Sequence, residues 1–272
     1  MLKRVLVVLF AAMVFMPVGQ ATGAGDLVGG READEPYPFI VSLHSASGKA
    51  FCVGALIAAE WLVTAGHCVE SKNPANLSAR IGSNDNTQGG EIARLAEVVV
   101  NPSYNPEPEH AGGDLALVRL AAPVKAAPIA IGAIVAPGTP TRLLGWGQTC
   151  PTTGCGKGPA KLQQLDTKIV EGVRCTAKFD GAVELCTDNP DGKSGSCYGD
   201  SGGPEVAKVD GKWVLLGTIS RPGNADPVCA TSPSIATSVV AYAQWIAEKT
   251  TPPAPAPPTP APPAPPAPAP PA

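Results

Sequence analysis

Gly199-Asp200-Ser201-Gly202-Gly203-Pro204 sets a serine among glycines, where the backbone can turn tightly and approach a ligand closely. Read alone, the stretch fits a plain glycine-rich turn or either of two hydrolase classes. The same letters satisfy Gly-x-Ser-x-Gly, the nucleophile elbow of α/β-hydrolases. Chain order separates the two classes. Elbow enzymes place their histidine after the serine, whereas all three histidines here, His44, His67 and His110, precede Ser201. A serine hydroxyl is a poor nucleophile until a base removes its proton, so one of these histidines has to fold back onto Ser201.

His67 stands in Trp61-Leu-Val-Thr-Ala-Gly-His-Cys68, where an apolar run closes in a small-residue turn and a cysteine can pin the loop. That setting holds an imidazole rigidly. His44 and His110 read as surface or core histidines, His110 lying in a proline- and glycine-rich loop. The third member of such a site is a carboxylate that fixes the imidazole tautomer and stabilises the imidazolium. Asp114 is the candidate, heading the hydrophobic run Leu115 to Leu120 after Gly112 and Gly113. Without the other two motifs it would read as a turn or capping aspartate.

Outward from these motifs, short apolar runs recur between turn signals. They are Phe39 to Leu43, Cys52 to Ala58, Trp61 to Thr64, Ile92 to Val100, Leu115 to Leu120, Arg142 to Gly145, Gln164 to Val170, Trp213 to Ser220 and Ser234 to Ser238. Their length and their Val, Ile and Thr content predict an all-β fold. Val239, Val240, Tyr242, Ala243, Trp245 and Ile246 lie at near-helical spacing and predict a C-terminal helix.

At the amino end, Lys3 and Arg4 precede an apolar run from Val5 to Met16, with small residues following to Ala24. The run is shorter than the ~20 residues of a spanning helix, so residues 1–24 read as a signal peptide and the chain as secreted, with no membrane span. Residues 25–26 remain as a short propeptide, 27–250 form the folded domain, and 251–272, all Pro, Ala and Thr, form an extended tail. That tail reads as a passive spacer or, alternatively, as a polyproline ligand. The formal charge of −3 without a basic cluster gives no reason to expect nucleic acid as a partner. Eight cysteines on an exported chain point to disulfides rather than zinc, and neither CxxC pairs nor a His-x3-His spacing is present. Asp85 between Asn84 and Asn86 lacks the spacing of a calcium loop, so neither metal nor cofactor is expected. Asn76-Leu-Ser78 is a formal glycosylation sequon.

With His67, Asp114 and Ser201 in that order, each inside its own motif, the chain resembles the chymotrypsin-like, trypsin-family serine proteases from Leu27 to about Lys249. Leu27-Val-Gly-Gly30 and Gly145-Trp146-Gly147 add to the likeness. The resemblance implies two six-stranded β-barrels, an acyl-transfer endopeptidase acting as a monomer on peptide or protein substrates, and an oxyanion hole from the amides of Gly199 and Ser201. It implies that Ser220 supports Asp114, and that a new amino terminus at Leu27 pairs with Asp200. It also implies disulfides Cys52–Cys68, Cys175–Cys186 and Cys197–Cys229, which leaves Cys150 with Cys155.

The departures from that pattern bear on specificity. Trypsins carry an aspartate six residues before the nucleophile, where this chain has Gly195; with Ser196, Tyr198, Ser220 and Ser234 it gives a neutral pocket that favours apolar or aromatic residues, or alternatively small ones. Ser220-Arg221-Pro222-Gly223 stands where the family has Ser-Trp-Gly, and proline has no amide to pair with a substrate strand, unless Gly223 takes that place. Asp226, in the longer segment before Cys229, is in reach of the pocket rim. The altered wall keeps open a second reading, a protease-like binding protein without turnover. Asp26 rather than arginine precedes Leu27, so a trypsin-like activating cut is not expected.

Overall fold

The computed structural model describes residues 27–107, 112–224 and 226–251. The chain enters through β1 (Arg31–Glu32) and then builds its first unit from β2 (Ile40–His44), β3 (Ala50–Ala58), β4 (Trp61–Thr64), β5 (Ser78–Ile81), β6 (Glu91–Val100) and β7 (Ala116–Leu120). These six strands close in the order β2-β3-β4-β7-β6-β5, all antiparallel. A closed barrel removes the edge strands that would otherwise pair with other chains. Its interior is filled by Ile40, Leu43, Leu62, Ile81, Leu117 and their neighbours, all without solvent exposure. Between β4 and β5 a single helical turn, α1 (Gly66–Val69), carries His67.

The second unit contains β8 (Ala130–Ile131), β9 (Pro140–Gly145), β10 (Gln163–Lys168), β11 (Glu184–Thr187), β12 (Pro204–Val209), β13 (Lys212–Pro222) and β14 (Ser234–Ser238). The sheet runs β1-β10-β9-β12-β13-β14-β11, with β8 parallel to β13. Its far ends meet, because Ile169 bridges Thr187 and the Val170 amide donates to the Cys186 carbonyl at 2.8 Å. The expected second six-stranded barrel is therefore a curled sheet of eight strands, extended at one edge by β1 and beside β13 by β8. One apolar cluster joins the units, running from the first barrel through Leu144, Trp146, Val206, Leu215 and Val239.

Sequence and structure differ in the strands that lack an apolar pattern and in the start of the C-terminal helix. β5, β11 and β12 carry Ser, Arg, Glu, Thr and Lys among few apolar residues and are formed by their neighbours' ladders rather than by their own pattern. The C-terminal helix, α2 (Ala243–Thr250), starts four residues later than its spacing predicts. Val239 instead extends the sheet, donating to the Leu216 carbonyl at 2.9 Å. The residues of the expected signal peptide and propeptide, and the tail beyond 251, lie outside the described residues.

Glu205 is fully buried in β12 and accepts hydrogen bonds from Thr141 Oγ1 at 2.8 Å and Thr187 Oγ1 at 2.7 Å. Burial pushes its carboxyl up to about 7, against the two hydroxyl donors, from an ordinary 4.5. Below pH about 4.5 folded and unfolded chains are both protonated here; above it the unfolded chain ionises first, so this residue's stabilisation is lost as pH rises to 7. The loss is about 3 kcal/mol. Glu205→Gln is expected to raise the thermal midpoint at pH 8 and leave it nearly unchanged at pH 4. An equal shift at both values would show that the carboxyl is not the titrating group.

Candidate active site

The site forms where the two units face each other. The Asp114 carboxylate, 7 % exposed at the mouth of β7, accepts three hydrogen bonds. The His67 amide donates to Oδ1 at 2.9 Å, and His67 Nδ1–H and the Ser220 hydroxyl donate to Oδ2 at 2.8 and 2.6 Å. Donation from Nδ1 fixes the tautomer and leaves Nε2 free to accept a proton. Burial works against the charge of Asp114, but the bond and charge of His67, with the Ser220 hydroxyl, outweigh it and hold the carboxyl below its usual range. Burial likewise opposes the imidazolium of His67, and the bond and charge of Asp114 outweigh it and raise the imidazole above its ordinary value.

His67 and Ser201 line one cleft of about 340 Å³, together with Ser196, Tyr198, Ser220 and Arg221. The Cys52–Cys68 disulfide ties β3 to α1 beside His67, and the Val53 amide donates to the Ser201 carbonyl at 2.9 Å. Gly199 has φ +101°, a conformation that side chains resist, and among the described residues the amides of Gly199 and Ser201 have no internal acceptor. Both donors remain available to an oxyanion.

Asp200 points away from the cleft and is fully buried. Its oxygens accept from the Gly147 amide at 2.7 Å and the Cys197 amide at 2.9 Å. Gly147 is required here, because a Cβ on it would lie 2.4 Å from a carboxylate oxygen. Burial pushes Asp200 up to about 7 despite those two amides, and no cation pairs with it among the described residues. Leu27 is wholly buried against Leu143, Leu165 and Ile219, and Val28 bridges Gly195.

The residues named for the substrate pocket divide. Ser196, Tyr198 and Ser220 line the cleft, while Gly195 and Ser234 stand behind it. Ser196 Oγ lies 2.8 Å from Ser234 Oγ, and the Gly195 amide donates to the Val28 carbonyl at 2.9 Å. Asp226 also reaches this cleft. Gly223 offers nothing to a substrate strand, since its amide donates to the Pro233 carbonyl at 2.7 Å and its carbonyl accepts from Thr176 and Ala177. Proline at 222 thus leaves that position of the wall without a free donor.

His44 is taken up locally, Nδ1 lying 3.1 Å from the Gly48 carbonyl, and His110 lies outside the described residues. Cys150 is joined to Cys155, Cys175 to Cys186 and Cys197 to Cys229. Cys52 and Cys68, which flank His67, offer no thiolate to a metal because they are bonded to each other. The Asp85 carboxylate is occupied by Thr87, Gln88 and Lys161 as the anchor of a turn.

Glu184 was invisible to motif reading. It is buried in β11 and accepts from the Gly112 amide, two residues before Asp114, at 2.8 Å, and pairs with Arg221. The only sequence signal was an arginine closing the apolar run of β13.

The family model described as Trypsin matches residues 27–246. Chymotrypsin-like elastase family member 1 of Felis catus is 32 % identical over 238 residues, which cover 81 % of this chain and 88 % of that protein. A match over most of the chain, on a structure that sets Ser201 and the Asp114-bonded His67 on one cleft, places this chain in the trypsin family of serine proteases.

Proposed function

We propose that the chain is an exported serine endopeptidase in which Ser201 is the nucleophile, His67 the general base and Asp114 its anchor. The observation that carries this reading is the buried Asp114 carboxylate, whose bond to Nδ1 turns the basic nitrogen of His67 toward the cleft shared with Ser201. Ser201 Oγ adds to the carbonyl carbon of the scissile bond while its proton passes to His67 Nε2. The amides of Gly199 and Ser201 receive the oxyanion, and the imidazolium returns the proton to the leaving amine. Water then repeats the sequence on the ester and frees Ser201. A second cleft of about 610 Å³, lined by Phe51, Trp146, Tyr198 and Gly199, shares Tyr198 with the first. Two adjoining clefts suit cleavage within a chain rather than at its end.

Four disulfides among the described residues fit an oxidising, extracellular compartment, and none of the described helices is long and apolar enough to cross a membrane. Cleavage before Leu27 would free an ammonium group beside the second unit's core, and Asp200 is a buried, amide-lined carboxylate without a cation among the described residues. Chain freed at Leu27 is therefore expected to accept an active-site titrant, with Asp200→Asn losing that gain. Equal titration of cut and uncut chain would contradict the pairing.

The uncharged serines around the pocket favour an apolar residue on the acyl side of the scissile bond, and the Asp226 carboxylate on the same cleft is held in its own turn by the Val228 amide and the Thr231 hydroxyl. Purified enzyme beginning at Leu27 is expected to cleave a peptide library after apolar residues and to lose this on Ser201→Ala. Cleavage after arginine would contradict the neutral pocket, and no cleavage in either protein would favour a binding role. The rate falls on the acid side as His67 takes up its proton, at a pH above the ordinary imidazole midpoint. Asp114→Asn is expected to lower kcat by about four orders of magnitude. Pro222→Gly restores one backbone donor to the wall and is expected to raise kcat/KM roughly 2- to 10-fold on substrates long enough to pair there. Single-residue esters should be unaffected.

A further inference from the structure

We propose that Arg221 is a positioning residue: its ion pair with Glu184 fastens the loop bearing Asp114, which belongs to the first barrel, onto the second unit, and so holds His67 in place through Asp114. This rests on the peptidase reading above.

The geometry is a closed circuit. Arg221 follows Ser220 in β13, and its guanidinium meets Glu184 in a fork, Nη1 to Oε1 at 2.5 Å and Nη2 to Oε2 at 3.1 Å. The Glu184 side chain has no solvent exposure, and that of Arg221 is 25 % exposed at the cleft. Oε1 of Glu184 also accepts from the Gly112 amide at 2.8 Å, while Oε2 accepts from the Asp180 amide at 2.9 Å. The Gly113 amide donates to the Tyr242 hydroxyl at 2.9 Å. Gly112 has φ +76°, and a Cβ on it would come within 2.5 Å of Val183, so the loop is seated against the second unit with no room to spare. From Asp114 the circuit returns to β13 through the Ser220 hydroxyl.

Two consecutive residues of one strand therefore grip the two ends of the segment from Gly112 to Asp114, Ser220 directly and Arg221 through Glu184. Arg221 further donates to the carbonyls of Ala177 and Lys178, which orients the guanidinium toward Glu184 rather than toward a substrate. Without Arg221, Glu184 is a buried carboxylate with no counter-charge. It then takes a proton or moves toward water, and the Gly112 amide loses its acceptor. Lysine supplies the charge but not the two-point fork.

The test is carried out on enzyme beginning at Leu27 and compares wild type with Arg221→Met, Arg221→Lys and Glu184→Gln. NMR titration of the His67 imidazole is the main readout, with kcat and KM on a short ester and the thermal midpoint alongside. Arg221→Met is expected to lower the proton affinity of His67 about three-fold or more, because the carboxylate that supports the imidazolium is less well held. kcat on the short ester should fall about ten-fold with little change in KM, and lysine should recover part of both. A lower thermal midpoint with His67 and kcat unchanged would overturn the proposal in favour of a scaffold role. A change confined to the KM of longer substrates would overturn it in favour of a wall role. If Arg221→Met does not fold, Glu184→Gln decides alone, since it keeps an acceptor of the same shape for Gly112 while removing the charge. A shifted His67 without turnover in any protein would sustain this inference and defeat the peptidase reading instead.

Discussion

The Asp114 carboxylate is the point on which both halves of the molecule converge. Its donors come from α1 of the first barrel and from β13 of the second unit, at distances between 2.6 and 2.9 Å. A carboxylate shielded from water keeps its charge only when its oxygens are so occupied. The relative placement of the two units is thus tied to the ionisation of one side chain. Disulfide Cys52–Cys68, the Val53–Ser201 backbone bond and the Glu184–Gly112 bond all lie around this junction. The two hydrogen bonds cross between the units and remove ways in which they could slide, while the disulfide fixes α1 on the first barrel.

Two further buried carboxyls occupy the second unit, and they differ in what they lack. Glu205 has a hydroxyl donor on each oxygen and no cationic partner among the described residues, so the protonated form is favoured inside the protein. Asp200 has backbone amides on both oxygens, donors that serve an anion, yet burial still lifts it to about 7. A buried, amide-lined carboxylate of this kind is what an ammonium partner would complete. The first residue bears on folding stability, and the second, on the proposed reading, on activation. Their chemistry separates them although both are wholly enclosed.

Much of the fold was legible from the chain because strands with apolar, β-branched runs declare themselves. Trp61–Thr64 and Ser234–Ser238 have the boundaries that their patterns predict. β5, with only Ala79 and Ile81 buried, and β12, with a carboxylate inside the sheet, could not declare themselves because ladders from neighbours decide them. The motif residues were legible because glycines and small residues mark tight approach. Arg221 and Glu184 were not, since two residues 37 positions apart become partners only when β11 and β13 lie on either side of β14. The pocket was less legible: the chain could not show that Gly195 and Ser234 stand behind the cleft, or that Gly223 is already hydrogen-bonded.

The central claim is that Ser201 is made nucleophilic by His67 and Asp114. Its most direct measurement is the mass of the protein starting at Leu27 after exposure to a fluorophosphonate reagent, with the modified residue located by peptide mapping. The account predicts one adduct per chain, on Ser201, formed far more slowly in Asp114→Asn and absent in Ser201→Ala. An unmodified protein, or adducts scattered over other hydroxyls at the rate of free serine, would contradict it.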